Sequence, residues 1–189
     1  MATYIVGITG ASGSIYGVRL LESLRRLKGA VVHLVMSAQA RRTLELETTL
    51  AAADVEKLAH FVHDPTDLAA PISSGSFKTD GMVVAPCSIK TAAAIAYALN
   101  DNLLVRAADV CLKERRRLVL MVRESPLHLG HLRTLTQLAE IGAMIVPPIP
   151  ALYTHPKSVD DIVNHGVGKA LDALGVEHDL FPRWQGPKR

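Results

Sequence analysis

The sequence predicts an α/β fold in which helices cover both faces of a parallel sheet, and two observations carry this prediction. Five short apolar runs are continuous rather than alternating, which is typical of strands buried on both faces: YIVGI, VVHLVM, GMVVAP, LVLMV and AMIVPP. At least one helical pattern separates each run from the next, and such alternation favours a doubly wound sheet. The length of 189 residues predicts a single domain over residues 1–189.

The elements follow in order along the chain. A strand at 4–8 leads into the glycine-rich turn GITGASG, and an apolar stripe from Ile15 to Leu27 has helical spacing. Further strands are expected at 31–36, 81–86, 118–122 and 143–148. Residues 64–80 are rich in turn-forming residues and predict a loop over the sheet.

Three helices carry recognisable end signals. The alanine-rich stretch TAAAIAYAL follows the third run, with Ser88 as a helix cap in front of it. A leucine stripe from Leu132 to Ala139 ends at Gly142, which suits a helix C-terminus. The last helix opens on Ser158-Val-Asp-Asp161, a capping-box pattern.

Composition excludes several classes of protein. Aromatic residues make up only 4%, which argues against a stacking platform for nucleic acid, and the net charge of +3 suits small anionic ligands. Two cysteines form no disulfide framework, so we expect a reducing, cytoplasmic setting. No signal peptide or membrane-spanning run is visible. The apolar share of 49% is high enough to suggest subunit contacts, so we expect a homo-oligomer.

Polar residues follow the strands at the edge where ligands of open α/β sheets bind. The polar residues are Thr9, Ser12, Ser37, Ser88, Lys90, Thr91, Arg123 and Glu124, and Gly10 lies among them in the first turn. Hydroxyl groups, cations and two helix N-termini together favour an anion such as phosphate. The glycine-rich turn alone is weak support, because it is also explained by close packing of a helix on the sheet.

Simpler interpretations stand beside the anion site. Taken singly, Ser88 is better explained as a helix cap. Cys87 is better explained as a buried thiol than as a nucleophile, and the charges at 113–117 as a solvated helix end. His128 and His131 lack a further ligand at metal-site spacing, so zinc is not expected.

A short-chain NAD(P)H reductase is one alternative, because TGASG and the pair Tyr153 and Lys157 formally match that family. That pair must share one helical face, and Pro156 between them would break the helix. A dinucleotide site also favours an acid after the second strand, where this chain has Met36 and Ser37. A mononucleotide fits better.

The chain resembles the UbiX-type flavin prenyltransferases, formerly described as aromatic acid decarboxylases. The resemblance rests on ordered motifs that span nearly the whole chain: GITGASGSIYGVRLL, LVMS, LELET, ISSGSF, APCSIKT, RAADVCLKERR, LVLMVRESPLHLGHL, PPIPALYTHPKSVDDIV and RWQG. It implies a flavodoxin-like three-layer αβα sandwich that binds reduced FMN and dimethylallyl phosphate. It further implies metal-independent transfer of the dimethylallyl group to N5 and C6 of the flavin, a dodecameric assembly, and a UbiD-type decarboxylase that receives the prenylated FMN.

The same resemblance implies roles for particular residues. FMN would be bound by Gly10, Ala11, Ser12, Ser37, Ser88, Ile89, Lys90, Thr91 and Arg123. Dimethylallyl phosphate would be bound by Tyr153, Lys169, Arg106, Arg123 and Lys113, with some of these from a neighbouring subunit. The catalytic residues would be Ser12, Glu47, Lys113 and Glu124, and Trp184 would help to close the site. Arg is commoner than Lys at position 169 in this family, and Lys lacks its bidentate fork.

Two other functions remain open from the sequence. A related FMN-dependent cysteine decarboxylase of the phosphopantothenoylcysteine type would share the fold, although it would carry an Asn-containing stretch and a catalytic histidine where this chain has APCSIKT. A flavin carrier without catalysis would need the FMN residues but not Tyr153, Lys169 and Glu47 together. From the residues alone, Glu47 is better explained as an exposed cap before a helix.

Overall fold

A computed structural model describes residues 1–186, and in it every strand lies in one parallel sheet. The strands are β1 (Thr3–Ile8), β2 (Val31–Met36), β3 (Phe61–His63), β4 (Gly81–Cys87), β5 (Arg117–Val122) and β6 (Met144–Ile145). Their order across the sheet is β3-β2-β1-β4-β5-β6. The chain starts at the centre and winds outward in both directions, so the predicted doubly wound architecture is confirmed.

Helices form a layer on each face of this sheet. They are α1 (Ser14–Arg25), α2 (Ala38–Glu47), α3 (Ala52–Glu56), α4 (Ile89–Ala96), α5 (Leu103–Lys113), α6 (Leu129–Glu140) and α7 (Val159–Leu174). One core lies beneath α1, α2, α3 and α7, and a second core lies beneath α4, α5 and α6. In the central strand β4, Val83 belongs to the first core and Val84 to the second. Burial on both faces explains why this run is continuously apolar.

Helix α1 packs unusually close to the sheet. A Cβ atom added to Gly17 would lie 2.4 Å from the carbonyl oxygen of Ala85 in β4. Only glycine allows this approach. The helix that follows the glycine-rich turn is thereby held against the switch point between β1 and β4, where a ligand of this fold class binds.

Both edges of the sheet depart from the sequence prediction. The strand expected at 143–148 is limited to Met144–Ile145, because Pro147 and Pro148 have no N–H to donate. The strand Phe61–His63 was not predicted, because three residues form no apolar run and two of them are exposed. The predicted loop at 64–80 is confirmed apart from a short 3-10 turn at Pro71–Ser73.

The last helix begins where the sequence places it. The Ser158 hydroxyl accepts from the Asp161 N–H at 3.2 Å, and the Asp161 carboxylate accepts from the Ser158 N–H at 3.0 Å. This capping box satisfies backbone donors that the first turn leaves without partners. Among residues 1–186, no helix combines the length and apolarity needed to cross a membrane.

Candidate functional site

A cleft of about 350 Å³ opens at the carboxyl edge of the sheet. Five residues that the sequence predicts for FMN line it: Gly10, Ser37, Ser88, Lys90 and Thr91. They follow β1, β2 and β4, which are neighbours in the sheet. The structure therefore brings these five residues together, and their contact with a flavin stays a prediction.

Thr9 joins the ends of β1 and β4 beneath this cleft. Its side chain donates to the Pro86 carbonyl oxygen at 2.8 Å and accepts from the Ser88 N–H at 2.8 Å. The residue is 2% exposed, so neither bond competes strongly with water. Thr9 thus fixes where the chain turns from β4 into α4.

The N-terminus of α4 faces the cleft. Ser88 caps it, since its hydroxyl accepts from the Thr91 N–H at 3.3 Å and donates to the Thr91 hydroxyl at 3.0 Å. The predicted helix cap is therefore confirmed. Ile89 and Lys90 also belong to the first turn, whose N–H groups have no acceptor within the helix. These two N–H groups and the Lys90 side chain suit the oxygens of a phosphate.

The neighbouring helix α2 contributes a second capped N-terminus. The Ser37 hydroxyl accepts from the Ala40 N–H at 3.1 Å, and the Ser37 N–H donates to the Ile8 carbonyl oxygen at 3.0 Å. Gly10 lies opposite, where an added Cβ would be 2.6 Å from the Cβ of Gln39. Glycine at position 10 therefore keeps the turn close to α2.

Glu47 holds the glycine-rich turn. It is the last residue of α2 rather than a residue before a helix, and its Oε2 accepts from the N–H groups of Gly13 and Ser14 at 2.9 and 3.0 Å. Burial raises the pKa of Glu47, but hydrogen bonds from the Ser12 hydroxyl and from these N–H groups outweigh it and lower the pKa. The carboxylate is therefore ionised near neutral pH. Ala11 lies in the same turn, half-buried.

Arg123 and Glu124 lie just beyond β5 at the same edge. The Arg123 N–H donates to the carbonyl oxygen of Cys87 at 3.0 Å, next to Ser88. The Glu124 carboxylate accepts from the Ser125 N–H at 3.0 Å. Neither residue lines the cleft itself.

A second polar cluster lies over α7. The Tyr153 hydroxyl is 3.2 Å from Nε2 of His165, and the Trp184 ring packs edge-on against Tyr153 at 5.7 Å. Lys169 stands one turn beyond His165 and approaches Asp172 at 3.8 Å. The cluster therefore contains both donor-phosphate residues that the sequence predicts on this part of the chain, together with Trp184.

Tyr16 connects this cluster with the glycine-rich turn. A Cβ added to Gly13 would lie 3.0 Å from one edge of the Tyr16 ring, and a Cβ added to Gly166 would lie 3.0 Å from the other side of it. Gly166 is adjacent to His165 on α7. One aromatic ring therefore separates the turn beside Glu47 from the Tyr153 cluster.

Arg106 and Lys113 are not part of this arrangement within one chain. The Arg106 guanidinium donates to the Ser73 carbonyl oxygen at 3.0 Å and pairs with Asp109 at 3.0 Å. Lys113 ends α5 and pairs with Glu114. Because α5 covers the opposite face of the sheet from α7, neither residue can meet Lys169 of the same chain. Their predicted part in the donor-phosphate site therefore stays a prediction that requires a neighbouring subunit.

The same geometry bears on the thiol of Cys87 and on the pair Tyr153 and Lys157. Cys87 is fully buried and burial raises its pKa to about 12, which favours the protonated thiol and agrees with a structural role. Tyr153 lies in a 3-10 turn and Lys157 precedes the capped start of α7, so the two share no helix. Over residues 1–186 there is no group of three or more His, Cys, Asp or Glu residues placed to hold a metal ion.

Sequence reasoning missed His165, which is 7% exposed on the inner face of α7. A polar side chain within the apolar spacing of that helix was the available signal. It also missed Pro65, Asp101 and Asn102, which line the cleft. These three come from loops whose path over the sheet has no sequence pattern.

The fold and the cleft together define a mononucleotide-binding α/β protein. A model of the Flavoprotein family matches residues 2–171. Flavin prenyltransferase UbiX of Escherichia coli strain K12 is 59% identical over 188 residues, which are 98% of this chain and 100% of the relative. The chain therefore belongs to the flavoprotein family and, within it, to the UbiX-type flavin prenyltransferases.

Solved structures agree with this assignment. A dodecameric FMN-dependent UbiX-like decarboxylase from Escherichia coli O157:H7 has 54% identity and a TM-score of 0.95, over 97% of this chain and 100% of that one. A UbiX protein solved with FMN and dimethylallyl pyrophosphate has 46% identity and a TM-score of 0.97, over 99% of both chains.

Proposed function

We propose that this protein transfers the dimethylallyl group of dimethylallyl phosphate to reduced FMN. The bond between C1 of the donor and its phosphate oxygen breaks, the phosphate takes the electron pair, and C1 bonds to flavin N5, which loses a proton. The double bond of the attached group then takes up a proton at C2, its C3 bonds to flavin C6, and C6 loses its own proton, so that a fourth ring closes with no net change in composition. The product is prenylated FMN.

The observation that carries this proposal is a pair of groups rich in hydroxyl, N–H and cationic donors, one in the cleft and one over α7. The first is the N-terminus of α4, which lines the cleft. The second is the cluster of Tyr153 and Lys169, which Tyr16 connects to the glycine-rich turn. A flavin carrier needs only the first group, whereas transfer between two phosphorylated substrates needs both.

The cleft residues fit the phosphate of FMN. First-turn N–H groups, the hydroxyls of Ser37, Ser88 and Thr91, and the Lys90 cation provide donors and positive charge. When bound there, the reduced flavin supplies electron-rich N5 and C6 atoms. Gly10, Ala11 and Ser12 would border its ring system, and Arg123 lies beyond the adjoining strand end.

Tyr153 and Lys169 would hold the donor phosphate. A hydroxyl donor and a cation stabilise the charge that develops on the departing oxygen, which lowers the barrier to leaving. The adjacent acids Asp160 and Asp161 at the start of α7 are engaged elsewhere, because Asp161 caps the helix and Asp160 pairs with Arg19 at 3.0 Å. We therefore assign charge stabilisation to side chains, without a metal ion.

Glu47 and Ser12 would move the protons. Glu47 is an ionised carboxylate in contact with the turn that would border the flavin. A carboxylate in this position can accept the proton that N5 or C6 loses. Glu124, at the neighbouring strand end, is the second candidate for contact with the reacting groups.

Assembly and product transfer extend the proposal. The solved relative from Escherichia coli O157:H7 is dodecameric. We infer the same assembly here, with Arg106 and Lys113 supplied to each donor site by a neighbouring subunit. The prenylated FMN would then serve as cofactor of a UbiD-type decarboxylase.

The test is anaerobic incubation of the protein with reduced FMN and dimethylallyl phosphate, followed by mass spectrometry of the flavin. We expect a flavin enlarged by one five-carbon unit, with or without a chelator. A parallel reaction with dimethylallyl pyrophosphate compares the two donors, since that compound accompanies FMN in a solved relative. A flavin of unchanged mass with both donors would contradict the proposal.

A further inference from the structure

His165 is the one strongly buried polar residue in the second cluster. It is 7% exposed, whereas Tyr153 is 49% exposed. The Tyr153 ring meets the His165 ring edge-on, with centroids 5.8 Å apart, and the Phe181 ring packs on the other side of His165 at 4.5 Å. The imidazole is therefore held on two sides, and Nε2 points to the Tyr153 hydroxyl at 3.2 Å.

Tyr153 itself has little backbone support. It lies in the 3-10 turn Leu152–Thr154, which ends at His155 in a left-handed conformation with φ of 51°. Its other ring contact is Trp184, which is 66% exposed. The direction of the Tyr153 hydroxyl therefore depends mainly on its hydrogen bond to His165.

We propose that His165 is a positioning residue for the prenyl donor, which donates its Nε2–H to the Tyr153 oxygen and so leaves the hydroxyl proton for the donor phosphate. This inference rests on the proposed function, because it takes Tyr153 as a phosphate ligand.

The direction of the hydrogen bond follows from the chemistry of the partners. A phosphate dianion has no proton to give, so Tyr153 binds it only as a donor. A tyrosine hydroxyl has one proton, and if that proton went to His165 the tyrosine would turn lone pairs toward the anion. The productive arrangement therefore requires a proton on Nε2, which in a neutral imidazole means the Nε2–H tautomer.

The surroundings of His165 keep it neutral. Burial lowers its pKa, the Lys169 cation lowers it further, and Asp172 opposes both. Asp172 is itself paired with His178 and Arg183 of the C-terminal segment, which reduces its influence. Tyr153 faces His165 from its own turn, and Tyr16 faces the adjacent Gly166 from α1.

The first measurement is binding of inorganic phosphate, the leaving group, to the FMN-loaded protein. His165→Phe keeps an aromatic ring against Phe181 but has no N–H, and we expect phosphate binding to weaken about fivefold, the effect of one neutral hydrogen bond. His165→Gln restores an N–H donor, and we expect it to recover part of this loss. FMN affinity should stay within about twofold in both variants.

A double-mutant cycle separates positioning from packing. In a Tyr153→Phe background, His165→Phe should have no further effect on phosphate affinity or on kcat/KM for dimethylallyl phosphate, because the hydroxyl that it orients is gone. Tyr4→Phe is the matched control and should leave both quantities unchanged. Tyr4 lies near the start of β1, whereas the glycine-rich turn follows the end of that strand. Additive losses in the double variant, or a fall in FMN affinity with His165→Phe, would overturn the proposal.

Failure of the proposed function has a different signature. If the wild-type protein binds FMN and phosphate but transfers no five-carbon unit, the proposed prenyl transfer is wrong. The double-mutant cycle on phosphate affinity then still tests the role of His165. If the wild-type protein binds FMN but no phosphate, both the Tyr153 role and the His165 inference are wrong.

Discussion

Glu47 has two roles at the level of a single residue, and one substitution separates them. Its carboxylate binds the N–H groups of Gly13 and Ser14, which is the position of an acid that stabilises a helix N-terminus. Its lowered pKa keeps it ionised near neutral pH, so it is also a ready proton acceptor. The first role needs only an oxygen, whereas the second needs a basic carboxylate.

We predict that Glu47→Gln preserves FMN binding and the first bond to N5 but stalls ring closure through C6. The amide oxygen still accepts from the turn, yet it cannot take a proton. Quenched reactions read by mass and flavin spectrum would show a singly attached intermediate. Full cyclisation at the wild-type rate would mean that Glu47 only caps α1.

The second prediction for single residues concerns the site that binds the FMN phosphate. Replacing Ser88 and Thr91 with alanine removes hydroxyls that line the cleft, and each charge-assisted hydrogen bond lost should cost about 1.5–3 kcal/mol of FMN affinity. Ser88 also caps α4, so the control is Ser158→Ala, which removes the cap of α7 outside the cleft. Fluorescence titration with FMN would measure both. Equal FMN affinity in the cleft variant and the control would place the phosphate elsewhere.

Burial determines which strands and helices could be predicted from the sequence. Central strands are covered on both faces, so their runs are continuous and were predicted correctly. Edge strands have one neighbour, and Phe61–His63 carries no apolar run by which to recognise it. The cleft residues were predictable because parallel strands end at one edge, which brings separate hydroxyls together.

The donor site was harder to predict for two physical reasons. Whether a helix residue faces the sheet or solvent follows from spacing, but which face of the sheet its helix covers does not. The family resemblance grouped Lys113 with Lys169 without saying which subunit supplies each, and only the structure shows that α5 and α7 lie on opposite faces of one chain. His165 was missed because its partner, Tyr153, comes from an irregular turn whose path no periodicity describes.

The C-terminal segment is held to α7 by Asp172, and this contact is testable at the scale of elements. Arg183 donates to both carboxylate oxygens at 2.6 and 2.8 Å, and His178 approaches at 3.1 Å. A Cβ added to Gly168 would lie 2.4 Å from the Phe181 ring, so glycine lets the segment pack closely. The segment thereby carries Trp184 onto Tyr153.

We predict that Asp172→Ala releases this segment, so that acrylamide quenches the fluorescence of Trp184, the single tryptophan, more strongly. Hydrogen bonds from Arg183 lower the pKa of Asp172, so its contribution is present above the ordinary value of 3.8 and is lost as pH falls through the still lower folded pKa. Wild-type quenching should therefore rise only in strong acid. The control is Asp179→Asn, which changes an exposed residue. Equal quenching in Asp172→Ala and in the wild-type protein would mean that Asp172 does not hold the C-terminal segment to α7.

At the scale of the whole molecule, several large apolar side chains are exposed on the outer helices. Leu129 and Leu132 on α6 are 60% and 47% exposed, although Leu132 belongs to the predicted leucine stripe. The alanine-rich helix α4 buries Ala92, Ile95 and Ala96 within the chain, so its contact with a copy is limited to its outer face and to Tyr97 beyond its end. Such exposed patches mark sites of association.

We predict that light scattering at micromolar concentration gives a mass about twelve times the 20.4 kDa of one chain. The apolar residues of α6 would then be covered by neighbouring subunits. Leu129→Glu with Leu132→Glu should reduce the assembly, because two charges cannot be buried there without partners. A monomeric mass for the wild-type protein would contradict both the predicted assembly and any active site shared between subunits.

If active sites are shared, inactive variants must rescue one another. Lys113 and Lys169 lie on opposite faces of one chain, so a site that uses both takes them from different subunits. We predict that Lys113→Ala and Lys169→Ala each lose prenyl transfer, whereas co-expression of the two chains restores about one quarter of the sites, as random assembly gives. Co-expressed Tyr153→Ala and Lys169→Ala chains are the matched control, because both residues belong to the α7 cluster of a single chain and no mixed site regains the pair. Rescue absent from the first pair, at unchanged assembly mass, would mean that Lys113 takes no part in the donor site of any subunit.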